Sequence, residues 1–152
     1  MLFGYRIPPL LLTVMLGLVI LTSSMVFPRL YPFTFFVLAA TVLLTVMGIL
    51  FAVLGVISFR KRGTTVNPIK LDQATALVAS GVYRVSRNPM YVGFLLVLTA
   101  LTVYSGNILS MILVVLFFLY MNFVQIASEE SALARLFGLA YNEYKTKVRR
   151  WL

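Results

Sequence analysis

The chain has 152 residues, of which 61% are hydrophobic and only 11% charged, and its mean hydropathy is +0.99. A soluble domain holds roughly 45–50% apolar and about 25% charged residues, so this composition excludes an ordinary water-soluble domain. Thirteen Lys and Arg face four acids (Asp72, Glu129, Glu130 and Glu143), giving +9, with no Cys and no His. Disulfides, thiolate nucleophiles, imidazole bases and zinc-finger ligands are thereby excluded, and no metal site is expected. Basic residues that flank apolar runs suit anionic lipid headgroups better than nucleic acid, which is not an expected partner.

A membrane-crossing helix needs about 20 apolar residues, because the hydrocarbon core is roughly 30 Å thick. Residues 8–27 and 32–59 meet that condition, and the two prolines of Phe27-Pro28-Arg29-Leu30-Tyr31-Pro32 mark the turn between them. A cleaved signal sequence is the rival reading of the first run, with Arg6 ahead of it and Thr22-Ser23-Ser24 near a possible cut. The run exceeds a usual signal core, so it is expected to stay as a span. Asn88 to Ser128 is 41 residues without a charge. As one helix it would extend about 61 Å, twice the membrane core. Tyr104-Ser105-Gly106-Asn107 is the expected break, leaving spans at 89–104 and 107–127. The fold expected is all-α and polytopic: a single domain over 1–152, with four spans in two hairpins, a loop at 60–88 and a helix at 129–148.

That last helix carries Leu133, Leu136, Phe137, Ala140, Tyr141, Tyr144 and Val148 at helical spacing, with Arg135, Asn142, Lys145 and Arg149 on other faces. It reads as amphipathic, lying on the membrane surface or over the helix ends, with Trp151 as an interfacial anchor. Arg60, Lys61, Arg62, Lys70, Arg84 and Arg87 lie between the hairpins, and Lys145, Lys147, Arg149 and Arg150 follow the last span. The opposite side holds only Arg29. Basic asymmetry of this kind predicts both termini and the central loop on the cytoplasmic side.

Two segments depart from what a lipid-packed bundle requires. In the first, Pro89 fits the first turn of a helix and Asn88 its cap, with Arg84 and Arg87 just outside; free amides and cations together favour an anion. A capped helix with two snorkelling arginines explains the same residues. In the second, Asn122, Gln125 and Glu129 fall on one helical face, and Glu129-Glu130 sit where the span leaves the membrane. An interhelical hydrogen-bonded seam is the competing explanation. The second hairpin brings the two segments together, and a cationic helix start facing carboxylates would suit a zwitterionic ligand.

These residues carry a resemblance. Gly81, Tyr83, Arg87, Asn88, Pro89, Tyr91 and Gly93, followed by Glu129, Glu130, Leu133, Phe137, Gly138, Tyr141 and Tyr144, resemble the paired motifs of the isoprenylcysteine carboxyl methyltransferase and phospholipid methyltransferase group of membrane enzymes. The similarity covers roughly Gly63 to Leu152. It departs at Asn88, where the group usually has His, and the chain has no Gly-x-Gly of the kind described in phospholipid methyltransferases. Asn can exchange hydrogen bonds but does not titrate near neutrality. The resemblance implies S-adenosylmethionine as cofactor and a lipid-like or amphipathic methyl acceptor. It also implies a site in which Arg87, Asn88 and Glu130 are catalytic. Gly81, Tyr83, Arg87, Asn88, Pro89, Tyr91, Gly93, Gln125, Glu129, Glu130 and Tyr141 would bind the cofactor. A non-catalytic membrane protein that binds anionic lipid or a protein partner is the alternative, and a small transporter the least favoured.

Overall fold

The computed structural model describes residues 7–63 and 76–152. Arg6, Lys70 and Asp72, and with them part of the expected 60–88 loop, lie outside the described residues. Among the described residues the elements are all helical: α1 Pro9–Val26, α2 Phe35–Lys61, a 3-10 turn Gly81–Arg84, α3 Pro89–Ser105, α4 Ile108–Tyr120, a π-helical turn Met121–Gln125, and α5 Ile126–Lys147. α1, α2 and the continuous helix from Ile108 are long and apolar enough to cross a membrane, and α3 is a shorter apolar helix.

Local chemistry accounts for the helix limits. Pro9 and Pro89 occupy first-turn positions of α1 and α3, where a missing N–H costs nothing. Thr34 caps α2 by accepting from the Val37 amide, and Asn107 caps α4 by accepting from the Ser110 amide at 2.9 Å. Gly106 closes α3 with φ +67, a conformation that other residues adopt only with strain. No Gly or Pro occurs between Ile108 and Phe137, so nothing terminates the fourth span at 127. The amphipathic helix expected from 129 is its direct continuation, and the backbone first departs from helical angles at Gly138 (φ 50, ψ −121).

The burial pattern is that of a chain solvated by lipid. Large apolar side chains such as Leu18, Leu43, Leu50, Val115 and Leu116 face outward, while Thr13, Ser23, Thr102, Ser105, Asn107, Ser110, Gln125 and Glu129 are buried. Hydrocarbon gives no hydrophobic drive for helices to associate, so close backbone approach and interior hydrogen bonds do that work. α3 is central. It packs against α2 along most of its length and against α1 and α4 on its other sides. The two hairpins therefore interlock instead of standing side by side. A Cβ placed on Gly93 of α3 would fall 2.5 Å from the Gly48 carbonyl oxygen and 2.8 Å from the Ala52 amide of α2. Gly48 and Gly55 are the buried positions of α2 that accept this approach.

A polar knot fixes the end of the bundle away from the second-hairpin carboxylates. Asn107 Nδ2 donates to Ser105 Oγ (2.6 Å) and Ser23 Oγ (3.0 Å). Tyr31 donates to the Val103 carbonyl and the Leu30 amide to that of Gly106, both at 2.8 Å. Arg29 reaches the Tyr104 carbonyl and lies 4.8 Å above the Phe33 ring. The turn of the first hairpin is thus tied to that of the second.

The close α2–α3 contact generates the first prediction. Gly93→Ala forces a methyl group into backbone atoms that have no rotamer to change, so it should destabilise by about 1–3 kcal/mol, the range for overpacking. Thermal unfolding in detergent measures it, and an unchanged midpoint would mean that the helices are not so closely apposed.

Candidate active site

At the other end of the bundle an open cavity is bounded by the end of α2, residues 76–78, the 3-10 turn, the start of α3 and α5 on both sides of Gly138. Of the residues singled out from sequence, Tyr83, Arg87, Asn88, Tyr91, Glu129, Glu130 and Tyr141 line it, with Phe59 supplying an apolar wall. The two segments expected to meet do meet.

The carboxylates have separate surroundings. Glu129 is buried, 8% exposed, and its Oε1 accepts from the Tyr91 hydroxyl (2.6 Å) and from Gln125 Nε2 (2.5 Å). Glu130 stands between two guanidinium groups. Arg87 Nη1 is 3.0 Å from Oε1, with side chains 11% and 12% exposed, while Arg150 binds both oxygens from Nε (3.1 Å) and Nη2 (2.5 Å). Arg87 and Glu130 form an ion pair without good hydrogen-bond alignment, and Arg87 Nε is buried with no hydrogen-bond partner. Arg87, Arg150 and Glu130 together carry a local excess of one positive charge, beside the negative Glu129. The cavity is therefore polarised, with a spare buried donor at its positive side.

The π-helical turn explains how one helix serves both ends of this arrangement. Such turns insert an extra residue and recur at functional sites. Here the wide turn, Met121–Gln125, contains Asn122 and Gln125 and ends one helical turn before Glu129. Asn122 faces the C-terminal segment, while Gln125 Nε2 reaches Glu129, and its Oε1 is buried without a partner.

Several expected roles change. Asn88 makes no side-chain cap; its Nδ2 donates 2.9 Å to the Arg150 carbonyl instead. The helix-start amides expected to form an anion site are largely occupied, since the Tyr91 and Val92 N–H groups both donate to the Asn88 carbonyl at 3.0 Å. The Arg87 N–H donates to the Arg149 carbonyl (3.0 Å) and the Asn88 N–H to Ser86 Oγ (3.1 Å). The cationic element is thus the Arg87 side chain. Gly93 faces α2 rather than the cavity, because its missing Cβ is what lets the helices touch. Gly81 opens the 3-10 turn with φ +63 against Ser58. Pro89 starts α3, and Gln125 acts on Glu129 without lining the cavity. Trp151, expected as an interfacial anchor, is half-buried and also bound within the protein: its ring lies 5.1 Å from that of Phe118 and its Nε1 donates to Asn122 Oδ1. Arg149 and Arg150, read from sequence only as surface charge, hold the site from behind. No local pattern marks them, because their partners lie 20 to 64 residues away.

Tyrosines supply the remaining wall. Tyr144 donates to the Tyr83 carbonyl at 2.7 Å, and Tyr83 packs edge-on against Phe59. Burial pushes the Tyr83 and Tyr144 hydroxyls well above their ordinary range. That of Tyr141 is pushed up to about 12, by burial first and then by Glu130, partly offset by Arg87. All three remain protonated donors at physiological pH.

Two predictions follow from these surroundings. Removing Glu130 leaves Arg87 buried and uncompensated, so Glu130→Ala should cost about 3 kcal/mol, the lower end for a broken buried pair. Arg150, 30% exposed, is better solvated once released, and Arg150→Ala should cost no more than about 1 kcal/mol. Equal losses in unfolding experiments would contradict the asymmetry. For Tyr141, a folded pKa near 12 against 10.0 when unfolded gives stability that is present below pH 10 and lost as pH rises toward 12. Tyr141→Phe should thus gain stability relative to the wild type across that window; a pH-independent difference would refute it.

The family model of phospholipid methyltransferases matches residues 36–140, a stretch that includes nearly all of α2, all of α3 and α4, the first cavity motif and the second as far as Gly138. A probable protein-S-isoprenylcysteine O-methyltransferase of Oryza sativa is 31% identical over 132 residues, 87% of this chain and 69% of its own. The protein-S-isoprenylcysteine O-methyltransferase of Saccharomyces cerevisiae is 35% identical over 136 residues, covering 84% of this chain and 56% of the yeast protein. An uncharacterized Haemophilus influenzae protein is 49% identical over 63 residues, 41% of this chain and all of its own length. No solved structure matches. With lipid-facing helices, a polarised cavity at one end and a family match across more than half its length, the chain belongs to the phospholipid methyltransferase family and is an integral membrane methyltransferase.

Proposed function

We propose that the chain transfers the methyl group of S-adenosylmethionine to a lipid-like or amphipathic acceptor, with the cofactor held in the cavity between α3 and α5. The observation that carries this reading is the buried, unpartnered Arg87 Nε in the same cavity as the Glu129 carboxylate. A cofactor with an amino-acid end and a sulfonium fits that pair: Arg87 would take the carboxylate, and Glu129 the ammonium or the sulfonium charge. The cofactor brings an already activated methyl group to the site. The protein's part is then alignment and electrostatics. Tyr91 and Gln125 fix the direction of Glu129, Glu130 holds Arg87 in place, and Tyr83 and Phe59 shield one side from water.

The acceptor is the less constrained half. A carboxylate acceptor, as the names of the rice and yeast relatives imply for those proteins, needs no base. That suits a site in which Asn88 stands where an imidazole would otherwise be available. An amine or hydroxyl acceptor would have to pass its proton to Glu129 or Glu130. The basic asymmetry of the loops supports a cytoplasmic position for the cavity and both termini, so the cofactor enters from the cytoplasm and the acceptor from the bilayer. The alternative, a non-catalytic lipid-binding protein, draws its support from Asn88.

Incubation of the protein in nanodiscs with methyl-labelled cofactor, offering a prenylated cysteine and separately extracted membrane lipids, distinguishes the two. Label is expected in the carboxyl-bearing amphiphile. Absence of transfer to every acceptor, together with absence of S-adenosylhomocysteine binding, would overturn the enzymatic reading.

A further inference from the structure

The C-terminal segment Arg149-Arg150-Trp151 touches both halves of the cavity, although neither Arg150 nor Trp151 lines it. On one side, the Arg149 carbonyl accepts from the Arg87 amide (3.0 Å) and the Arg150 carbonyl accepts from Asn88 Nδ2 (2.9 Å) and Ser86 Oγ (3.4 Å). On the other, the Arg150 guanidinium binds both oxygens of Glu130 and, through Nη1, Asn122 Oδ1 (3.0 Å). Trp151 donates to that same Asn122 oxygen at 3.2 Å and stacks on Phe118. The start of α3 and the carboxylate face of α5 are thus joined by a strap of three residues.

From this geometry we propose that the strap positions the ligand-binding groups and that Arg150 is its central positioning residue. This inference rests on the cofactor reading of the cavity. Arg150 takes up both Glu130 oxygens, so the Arg87 ion pair is held by one oxygen alone and Arg87 Nε stays buried without a hydrogen-bond partner. Without the strap, Glu130 is free to turn fully onto Arg87 and close that donor off. The backbone contacts fix the Arg87-Asn88 peptide from the other side. Docking of the strap and binding of the ligand are therefore coupled, and coupling is reciprocal: a ligand that binds better to the docked state must tighten docking.

Trp151 is the only tryptophan of the chain, so its emission reports docking directly. The experiment compares full-length wild type, Arg150→Lys, Arg150→Gln and Asn122→Ala in nanodiscs. It measures S-adenosylhomocysteine affinity by calorimetry and Trp151 quenching by acrylamide. Loss of charge-assisted hydrogen bonds predicts that Arg150→Gln weakens affinity by about tenfold to a hundredfold. Arg150→Lys should recover part of it, as a single point charge cannot span both oxygens. Asn122→Ala, which releases the other arm of the strap, should move affinity in the same direction. In the wild type, S-adenosylhomocysteine should reduce quenching of Trp151. Wild-type binding with Arg150→Gln affinity within twofold of it, despite an exposed Trp151, would overturn the strap and leave the cofactor reading intact. A wild type that fails to bind S-adenosylhomocysteine would overturn the cofactor reading and the strap with it.

Discussion

A carboxylate at the edge of a membrane domain is tolerable only if its charge is matched, and the arrangement of the whole cytoplasmic-facing cavity in our proposal turns on how Glu130 is matched. Two guanidinium groups converge on it, one from the start of α3 and one from the C-terminal segment. Each of the three residues belongs to a different part of the chain, so the ion cluster fixes the relative placement of those parts. It also overshoots neutrality. The extra positive charge is what leaves Arg87 with a donor to offer, and Glu129, buried apart under Tyr91 and Gln125, keeps the opposite charge a short distance away.

This cluster depends on a bundle built for hydrocarbon. Because lipid does not drive helices together, α2 and α3 adhere through missing side chains, with Gly48, Gly55 and Gly93 at the contact. That contact fixes how α3, which starts at Pro89, sits along α2, and hence where Arg87 and Asn88 stand. At the far end, Asn107 ties the second turn to Ser23 of α1, and Leu30 and Tyr31 tie the first turn to the second, by hydrogen bonds that hydrocarbon cannot compete for. The cavity lies at the end where the helices part and where polar side chains gather.

The all-helical, membrane-type fold, the break at Tyr104–Asn107 and the convergence of the Arg87 and Glu129–Glu130 segments are readable from the chain, because each is a local matter of apolar content, turn residues or helical spacing; of the four expected spans, three helices have the length to cross and α3 is shorter. The same reasoning failed where a residue's role is set by a distant partner. Gly93 belongs to a motif that suggests cofactor contact, yet it serves helix packing, since its neighbour in space is Gly48. Asn88 has the position and chemistry of a cap, but its side chain turns to the C-terminal segment, where Nδ2 donates to the Arg150 carbonyl, and it makes no cap bond to its own helix. Arg150 and Trp151 looked like the charged and aromatic fringe of a membrane protein. Only three-dimensional proximity to Asn122 and Glu130 makes them part of the site. The continuity of α4 into α5 had a signal that was available, the lack of any Gly or Pro before Gly138.

In our proposal the cavity reads a zwitterion, with Arg87 meeting the carboxylate. The most direct measurement compares wild-type and Arg87→Gln affinities for S-adenosylhomocysteine and for its decarboxylated analogue. Wild-type protein should prefer the intact ligand by about tenfold or more, as expected for a charge-assisted contact, and Arg87→Gln should lose that preference. Equal binding of both ligands by the wild type, or a preference that survives in Arg87→Gln, would contradict the account.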